Sequence, residues 1–196
     1  DYLFYGSAKF GVKINYSTQN DSLPAMPRFG FRFNLKPEFK HMQWYGRGPH
    51  ESYSDRKTSA FIGNYQGLIQ DQYHPYVRAQ ETGNKTDCRS LKIRGDKTEI
   101  NINSSTPFET GVWEFNYDDL YLVESEGGDN LTAGEIITGT NKHGSQIETG
   151  EQLTIIVSHK QMGVGGDNSW GAMPHDQYLL TDKNYEFSFI INAKKL

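Results

Sequence analysis

Cysteine is almost absent from this sequence, because Cys88 is the single one in 196 residues. One thiol forms no intrachain disulfide and builds no zinc site of several cysteines, so we predict that Cys88 is a packed, unreactive side chain. Long hydrophobic runs are also lacking. No apolar stretch approaches the roughly 18 residues that a membrane span requires, and we therefore expect none.

An excess of positive charge is missing too. The 20 Lys and Arg residues stand against 24 Asp and Glu residues, for a formal net charge of -4. Domains that bind nucleic acid usually carry a basic face, so nucleic acid is not an expected partner. Internal repeats, low-complexity linkers and sustained helical periodicity are absent as well, which argues against a helical bundle.

The sequence also has few signs of metal or nucleophile chemistry. Its six histidines lie at positions 41, 50, 74, 143, 159 and 175, and no pair has the spacing of a metal-ligand set. The twelve-residue calcium loop and the Gly-x-Ser-x-Gly nucleophile motif are missing. We expect no metal site and no cofactor in this chain.

Aromatic residues are abundant, at 13% of the sequence, and many of them alternate with polar residues. Alternation with a period of two is typical of a half-buried strand. Many short strands separated by turns predict a single antiparallel β-sandwich or barrel domain over residues 1–196. The predicted strands are 10–16, 29–35, 42–44, 89–94, 100–102, 113–117, 153–157 and 185–191.

Other stretches give weaker signals. Residues 58–77 are apolar at irregular spacing and do not distinguish helix from strand. Asp118 is predicted to cap a single helical turn, and 124–150 has the composition of an excursion over the surface. Residues 46–56 are rich in turn formers and charge, which predicts a loop pinned by an ion pair between Asp55 and Arg56.

Several carboxylates are candidates for proton transfer, because a glycosidase or isomerase needs two of them, or one with a histidine. Each candidate lies at a predicted turn, where acidic residues are common simply because turns are solvated. The pattern therefore selects no catalytic residue in this chain. The candidates are Glu51 beside His50, Asp71 three residues before His74, Glu81, and Asp167.

Residues 162–173 concentrate glycine around one large aromatic, since four glycines flank Trp170. Composition leaves two interpretations open. In the first, a glycine-rich connection lets Trp170 cover a corner of the core. In the second, the loop presents the indole face to a sugar, with Asp167 and Asn168 placed to bind hydroxyl groups.

Three motifs, in order and at approximate spacing, resemble the C-terminal domain of large β-galactosidases of glycoside hydrolase family 2. They cover most of the chain, although the interval from about 114 to 148 departs from the family pattern. The resemblance implies an antiparallel β-supersandwich related to galactose mutarotase, incomplete at its N-terminal side. The motifs are WYGRGPHESYSDR (44–56), QYHPYV with QETGN (72–84), and MGVGGDNSW (162–170).

The resemblance also implies a function. In that family two catalytic glutamates lie in a (β/α)8 barrel that precedes this domain, so the chain would be a C-terminal fragment of a multidomain enzyme, without catalytic residues of its own. Trp170, Asp167 and Asn168 would bind a terminal β-D-galactoside, such as lactose, that the enzyme hydrolyses with retention. The expected partners are the preceding barrel and sandwich domains and the substrate, and the full-length enzyme is expected to be a homo-oligomer that can use Mg or Na.

Two alternatives come from other classes of protein. A mutarotase-like fold also suits a stand-alone aldose 1-epimerase or a carbohydrate-binding module, although no convincing acid and base pair stands out in the sequence. A purely architectural sandwich is the third interpretation. The compartment stays open between bacterial cytoplasm and periplasm.

Overall fold

The computed structural model describes residues 1–120, 143–168 and 170–196. These residues form an antiparallel sheet with short 3-10 turns between some strands, at Gln70–Gln72, Tyr117–Leu120, Gly144–Gln146 and Asp176–Tyr178. Within the same residues, no helix is long and apolar enough to cross a membrane. The strands are β1 (Tyr2–Tyr5), β2 (Lys9–Ser17), β3 (Arg28–Leu35), β4 (Phe39–Gly48), β5 (Phe61–Leu68), β6 (Lys85–Gly95), β7 (Thr98–Trp113), β8 (Leu153–Gln161) and β9 (Asn184–Lys195).

The long strand β7 divides the sheet into two layers. Its first part, from Thr98 to Asn103, pairs with β9, and its second part, from Glu109 to Trp113, pairs with β8. The strand order is β1-β2-β9-β7-β6-β4-β5, and β3 joins the sheet through β8. Aromatic rings then connect the layers, because Phe29 of β3 lies 5.3 Å from the ring of Tyr185 in β9.

The main core lies between these layers. Alternate residues of β9 point into it, and Phe187 and Phe189 are almost fully buried. A second, smaller cluster lies on the other face of β7 and β8, where Trp113 packs with Phe115 and Leu120. The Trp113 indole N–H donates to the carbonyl oxygen of Thr82 at 3.1 Å. This bond ties the second cluster to the loop that precedes β6.

The structure confirms the predicted all-β, antiparallel fold. All predicted strands except 113–117 lie within observed strands. The undecided stretch 58–77 contains β5 and the 3-10 turn Gln70–Gln72, and the first residues of the predicted loop 46–56 belong to β4. The likeness to a mutarotase supersandwich and the incomplete N-terminal side stay predictions. Sequence reasoning did not find β1, an edge strand whose residues are all exposed.

Two local predictions around residue 115 were wrong. The strand predicted over 113–117 ends at Trp113, and Tyr117 already begins a 3-10 turn. Asp118 does not cap that turn but lies inside it, where its backbone N–H donates to the side-chain oxygen of Asn116 at 3.3 Å. Aromatic alternation continues past the strand because Phe115 and Tyr117, although outside it, both pack against Trp113.

The surface excursion predicted over 124–150 falls for the most part outside the described residues. In its described part, from 143 onward, the backbone N–H of Gly144 donates to Tyr76 at 3.0 Å. The side chain of Ile147 is buried in the smaller cluster. This end of the excursion is therefore packed against the domain.

Candidate functional site

The glycine-rich loop begins where β8 ends, and backbone hydrogen bonds fix its first residues. Met162 donates to Pro27 at 3.0 Å, and Gly163 donates to Tyr178 at 2.9 Å. The backbone N–H groups of the next two residues, Val164 and Gly165, both donate to one carboxylate oxygen of Asp55, at 2.8 and 2.9 Å. The base of the loop is thus attached to a segment more than a hundred residues earlier in the chain.

Close approaches explain why glycine occupies two of the loop positions. A Cβ atom on Gly163 would lie 2.6 Å from the Asp55 carboxylate, and one on Gly166 would lie 2.0 Å from the carbonyl oxygen of Ala172. Gly171 has a φ of +92°, a conformation that L side chains rarely adopt. The loop therefore has a narrow neck between 166 and 172, with a tip beyond it.

The tip carries the three predicted sugar-binding residues, so the structure brings Trp170, Asp167 and Asn168 together. The Trp170 side chain is 92% exposed. Its backbone N–H donates to Asn168 Oδ1 at 2.8 Å, and Asp167 Oδ1 lies 2.8 Å from Nε2 of His175. The alternative in which Trp170 covers a corner of the core is wrong, because the indole projects away from the protein.

A groove of about 1110 Å³ runs beside the loop and includes Asp167 in its wall. Strand β3 also lines the groove, through Arg28, Phe31 and Arg32. Concave surfaces with aromatic walls and a few polar groups are typical of ligand sites. Asp55 and Gln161 both line this groove, and Oδ1 of Asp55 and Oε1 of Gln161 are buried without a hydrogen-bond partner among the described residues.

The predicted ion pair between Asp55 and Arg56 is wrong. Asp55 accepts from the glycine loop, as described above, and Arg56 instead pairs with Glu51. The Arg56 guanidinium also lies over the ring of Tyr53, 5.0 Å from its centroid. These neighbouring side chains have different partners, because Asp55 reaches the glycine-rich loop whereas Arg56 reaches back to Glu51 within residues 46–56.

A family model described as the β-galactosidase small chain matches residues 1–191. The chain belongs to the β-galactosidase small chain family. Similar proteins include the β-galactosidase of Priestia megaterium (strain DSM 319 / IMG 1521), which is 31% identical over 202 residues covering 97% of this chain. That of Halalkalibacterium halodurans is 32% identical over 191 residues (95% of this chain), and that of Pseudoalteromonas haloplanktis is 30% identical over 189 residues (96%).

The chain spans only 17% of the length of the first two relatives and 16% of the third. The resemblance predicted from the three motifs is confirmed, since a small-chain match covers all of them. The matched region also includes β1, which no motif had covered.

The candidate carboxylate Glu51 has a structural role, because it accepts several hydrogen bonds from within the domain. It accepts hydrogen bonds from the Tyr76 hydroxyl, from Arg56 and, at 2.7 Å, from the backbone N–H of Gly83. Burial raises the pKa of Glu51, but these bonds and the Arg56 charge outweigh burial and lower it. A carboxylate held ionised by several donors links the loop 46–56 to the loop before β6.

Glu81 is also part of a packed ion pair. Its carboxylate lies 3.0 Å from Arg28, with both side chains mostly buried, and accepts from the Tyr117 hydroxyl. The guanidinium of Arg28 lies 5.3 Å from the centroid of the Tyr117 ring. This arrangement fixes one wall of the groove. Asp71, by contrast, lines a separate cavity of about 340 Å³ together with His74.

Sequence reasoning missed one perturbed carboxylate of this small-chain domain, Glu109 in β7. Burial raises its pKa to about 7, even though Asn84 donates to its carboxylate at 3.1 Å. Glu109 lines a cavity of about 310 Å³ with His159 and Lys57. A single charged residue in a strand gives no local signal of this kind, because the shift depends on what covers the strand.

Two further expectations concern reactive groups. The predicted packed thiol is confirmed, because Cys88 is buried and burial raises its pKa. Among residues 1–120, 143–168 and 170–196, the structure places no three His, Cys, Asp or Glu side chains where they could hold a metal ion.

Proposed function

We propose that this chain is part of a β-galactosidase and that its glycine-rich loop completes the sugar site through Trp170. The observation that carries the proposal is the 92% exposure of this indole at the tip of a loop whose base is tied down. A large apolar side chain gains nothing from water, whereas the C–H face of a pyranose can stack on it.

The two polar residues of the tip suit the same ligand. Asp167 lies mostly in solvent and offers carboxylate oxygens to sugar hydroxyls, while its bond to His175 restrains it. Asn168 uses Oδ1 within the loop, which leaves its amide nitrogen as a donor. Together they would orient a galactoside that the indole holds by its face.

The reaction would be hydrolysis of a terminal β-D-galactoside with retention. Such chemistry uses two carboxyl groups roughly 5 Å apart, one as nucleophile and one as acid and base. We assign both to a (β/α)8 barrel outside this chain, since Glu51 and Glu81 are engaged in structural contacts here. This chain would then contribute binding, with the barrel as its partner in a homo-oligomeric enzyme that can use Mg or Na.

Substituting Trp170 in the polypeptide that carries this chain tests the proposal. Aromatic stacking is worth about 0.5–1.5 kcal/mol, so Trp170→Ala should raise KM for lactose and for a nitrophenyl β-galactoside by about two- to tenfold. Trp170→Phe keeps an aromatic face, so its KM should lie between those of the parent enzyme and Trp170→Ala.

Phe4→Ala is the matched control, because Phe4 is 82% exposed in the edge strand β1 and does not line the groove. It should leave KM unchanged. Steady-state kinetics that show the same KM for Trp170→Ala and the parent enzyme would contradict the proposed role of the loop.

A further inference from the structure

We propose that Asp55 is a positioning residue for sugar recognition, because its carboxylate holds the loop that carries Trp170. This inference rests on the proposed function of that loop. One carboxylate oxygen of Asp55 accepts two consecutive backbone N–H groups, from Val164 at 2.8 Å and Gly165 at 2.9 Å. Hydrogen bonds to an ionised acceptor are roughly twice as strong as neutral ones.

The shape of the loop base matches this carboxylate. A Cβ atom on Gly163 would lie 2.6 Å from Asp55 Oδ2, whereas one on Gly165 would lie 3.9 Å away, at ordinary contact distance. The loop therefore sits directly on the carboxylate at 163, with no room for a side chain. Two glycine positions, 163 and 165, thus differ sharply in the space that they leave for a side chain.

Asp55 itself is well supported. The residue after it, Arg56, exchanges two backbone hydrogen bonds with Tyr53, at 2.9 and 3.1 Å. The Arg56 side chain pairs with Glu51, whose carboxylate also accepts from Gly83. Asp55 therefore projects from a segment that is fixed at both ends, and it can hold the loop in one place.

The position of the loop base also determines the position of the tip. The neck closes where Gly166 meets the backbone of Ala172, and Asp167 contacts His175 just outside it. Displacement of residues 164 and 165 would therefore move the neck and, with it, the indole. A displaced indole binds sugar less well, although the groups that perform bond cleavage stay where they are.

The test uses the full polypeptide and measures KM and kcat for a nitrophenyl β-galactoside. Asp55→Ala removes the acceptor, and Gly163→Ala pushes the loop off it by an independent route. Both should raise KM by about two- to tenfold, no more than Trp170→Ala does, with a smaller change in kcat. Gly6→Ala is the matched control, because a Cβ atom on Gly6, far from the loop in sequence, would meet nothing within 4 Å, and it should leave KM close to its parent value.

A double-mutant cycle then separates a positioning role from a structural one. If Asp55 acts through the indole, Asp55→Ala should change KM by less than about twofold when Trp170 is already Ala. Circular dichroism and the thermal midpoint of each variant report whether it folds, and Gly163→Ala gives the same comparison should Asp55→Ala fail to fold.

Additive effects of Asp55→Ala and Trp170→Ala would overturn the inference while leaving the proposed function intact. An unchanged KM in both Asp55→Ala and Gly163→Ala, alongside a raised KM in Trp170→Ala, would also overturn the inference and leave the proposed function intact. If Trp170→Ala itself has no effect, the proposed function is wrong and the positioning role is wrong with it.

Discussion

Glu109 should make the protein less stable as the pH rises from about 4.5 to about 7. Its pKa in the folded protein is about 7, because burial disfavours the charged form. A carboxyl group exposed in the unfolded chain titrates near 4.3. Glu109→Gln replaces the carboxyl group with an amide that does not titrate, and it keeps an oxygen that can accept the hydrogen bond from Asn84.

The sign follows from proton counting. Between these two pKa values the folded protein keeps the Glu109 proton and the unfolded chain does not, so folding is favoured less as the pH rises. Each unit of difference corresponds to about 1.4 kcal/mol, and the difference here gives on the order of 4 kcal/mol well above pH 7. Well below pH 4.3 both states hold the proton, and this contribution to the pH dependence is absent.

Urea denaturation at pH 5 and pH 8 measures the effect. We expect Glu109→Gln to gain about 2.5 kcal/mol in free energy of unfolding, relative to the parent protein, between pH 5 and pH 8, because part of the effect is already lost at pH 5. Glu186→Gln is the control, since Glu186 is an exposed carboxylate of β9, and it should shift the value by less than about 0.5 kcal/mol. An equal difference between Glu109→Gln and the parent at both pH values would refute the reasoning.

Two further experiments, one substitution and one chemical labelling, test the packing of the core. Phe187→Ala should lower the free energy of unfolding by about 3–5 kcal/mol, because Phe187 is 2% exposed in the main core; urea denaturation checks this against Phe4→Ala, and a loss no larger than that of the exposed control would contradict the packing. Cys88 should not react with a thiol-specific chromogenic reagent in the folded protein and should react fully in denaturant, because the thiol is buried and its pKa is raised. Rapid labelling of the folded protein would show that the thiol is accessible.

Local pattern was sufficient where the structure itself is local. Alternation in β9 predicted which residues are buried, and Phe187 and Phe189 are indeed in the core. The same reasoning failed after Trp113, where Phe115 and Tyr117 keep the alternation but lie beyond the end of the strand. Period two indicates which residues are buried, and a packed turn can bury aromatics at the same spacing as a strand.

The candidate site shows the same division. The glycines around Trp170 predicted a specially shaped loop, and the three motifs predicted its family. Neither could predict that Asp55 turns away from Arg56 toward the loop at 164 and 165. Asp55 and Val164 are 109 positions apart, and their contact depends on which strands pair. Neither segment by itself determines that pairing.

By itself, the sequence determined that the chain is an antiparallel β protein, that it belongs with β-galactosidases, and that residues 162–173 form an unusual loop. Only the tertiary structure decided that Trp170 faces solvent, that Asp55 accepts hydrogen bonds from the base of its loop, and that Glu109 has a pKa near neutrality. The physical reason is that periodicity and glycine content act through the local backbone. Exposure, hydrogen-bond partners and pKa values depend on every element that packs around a side chain.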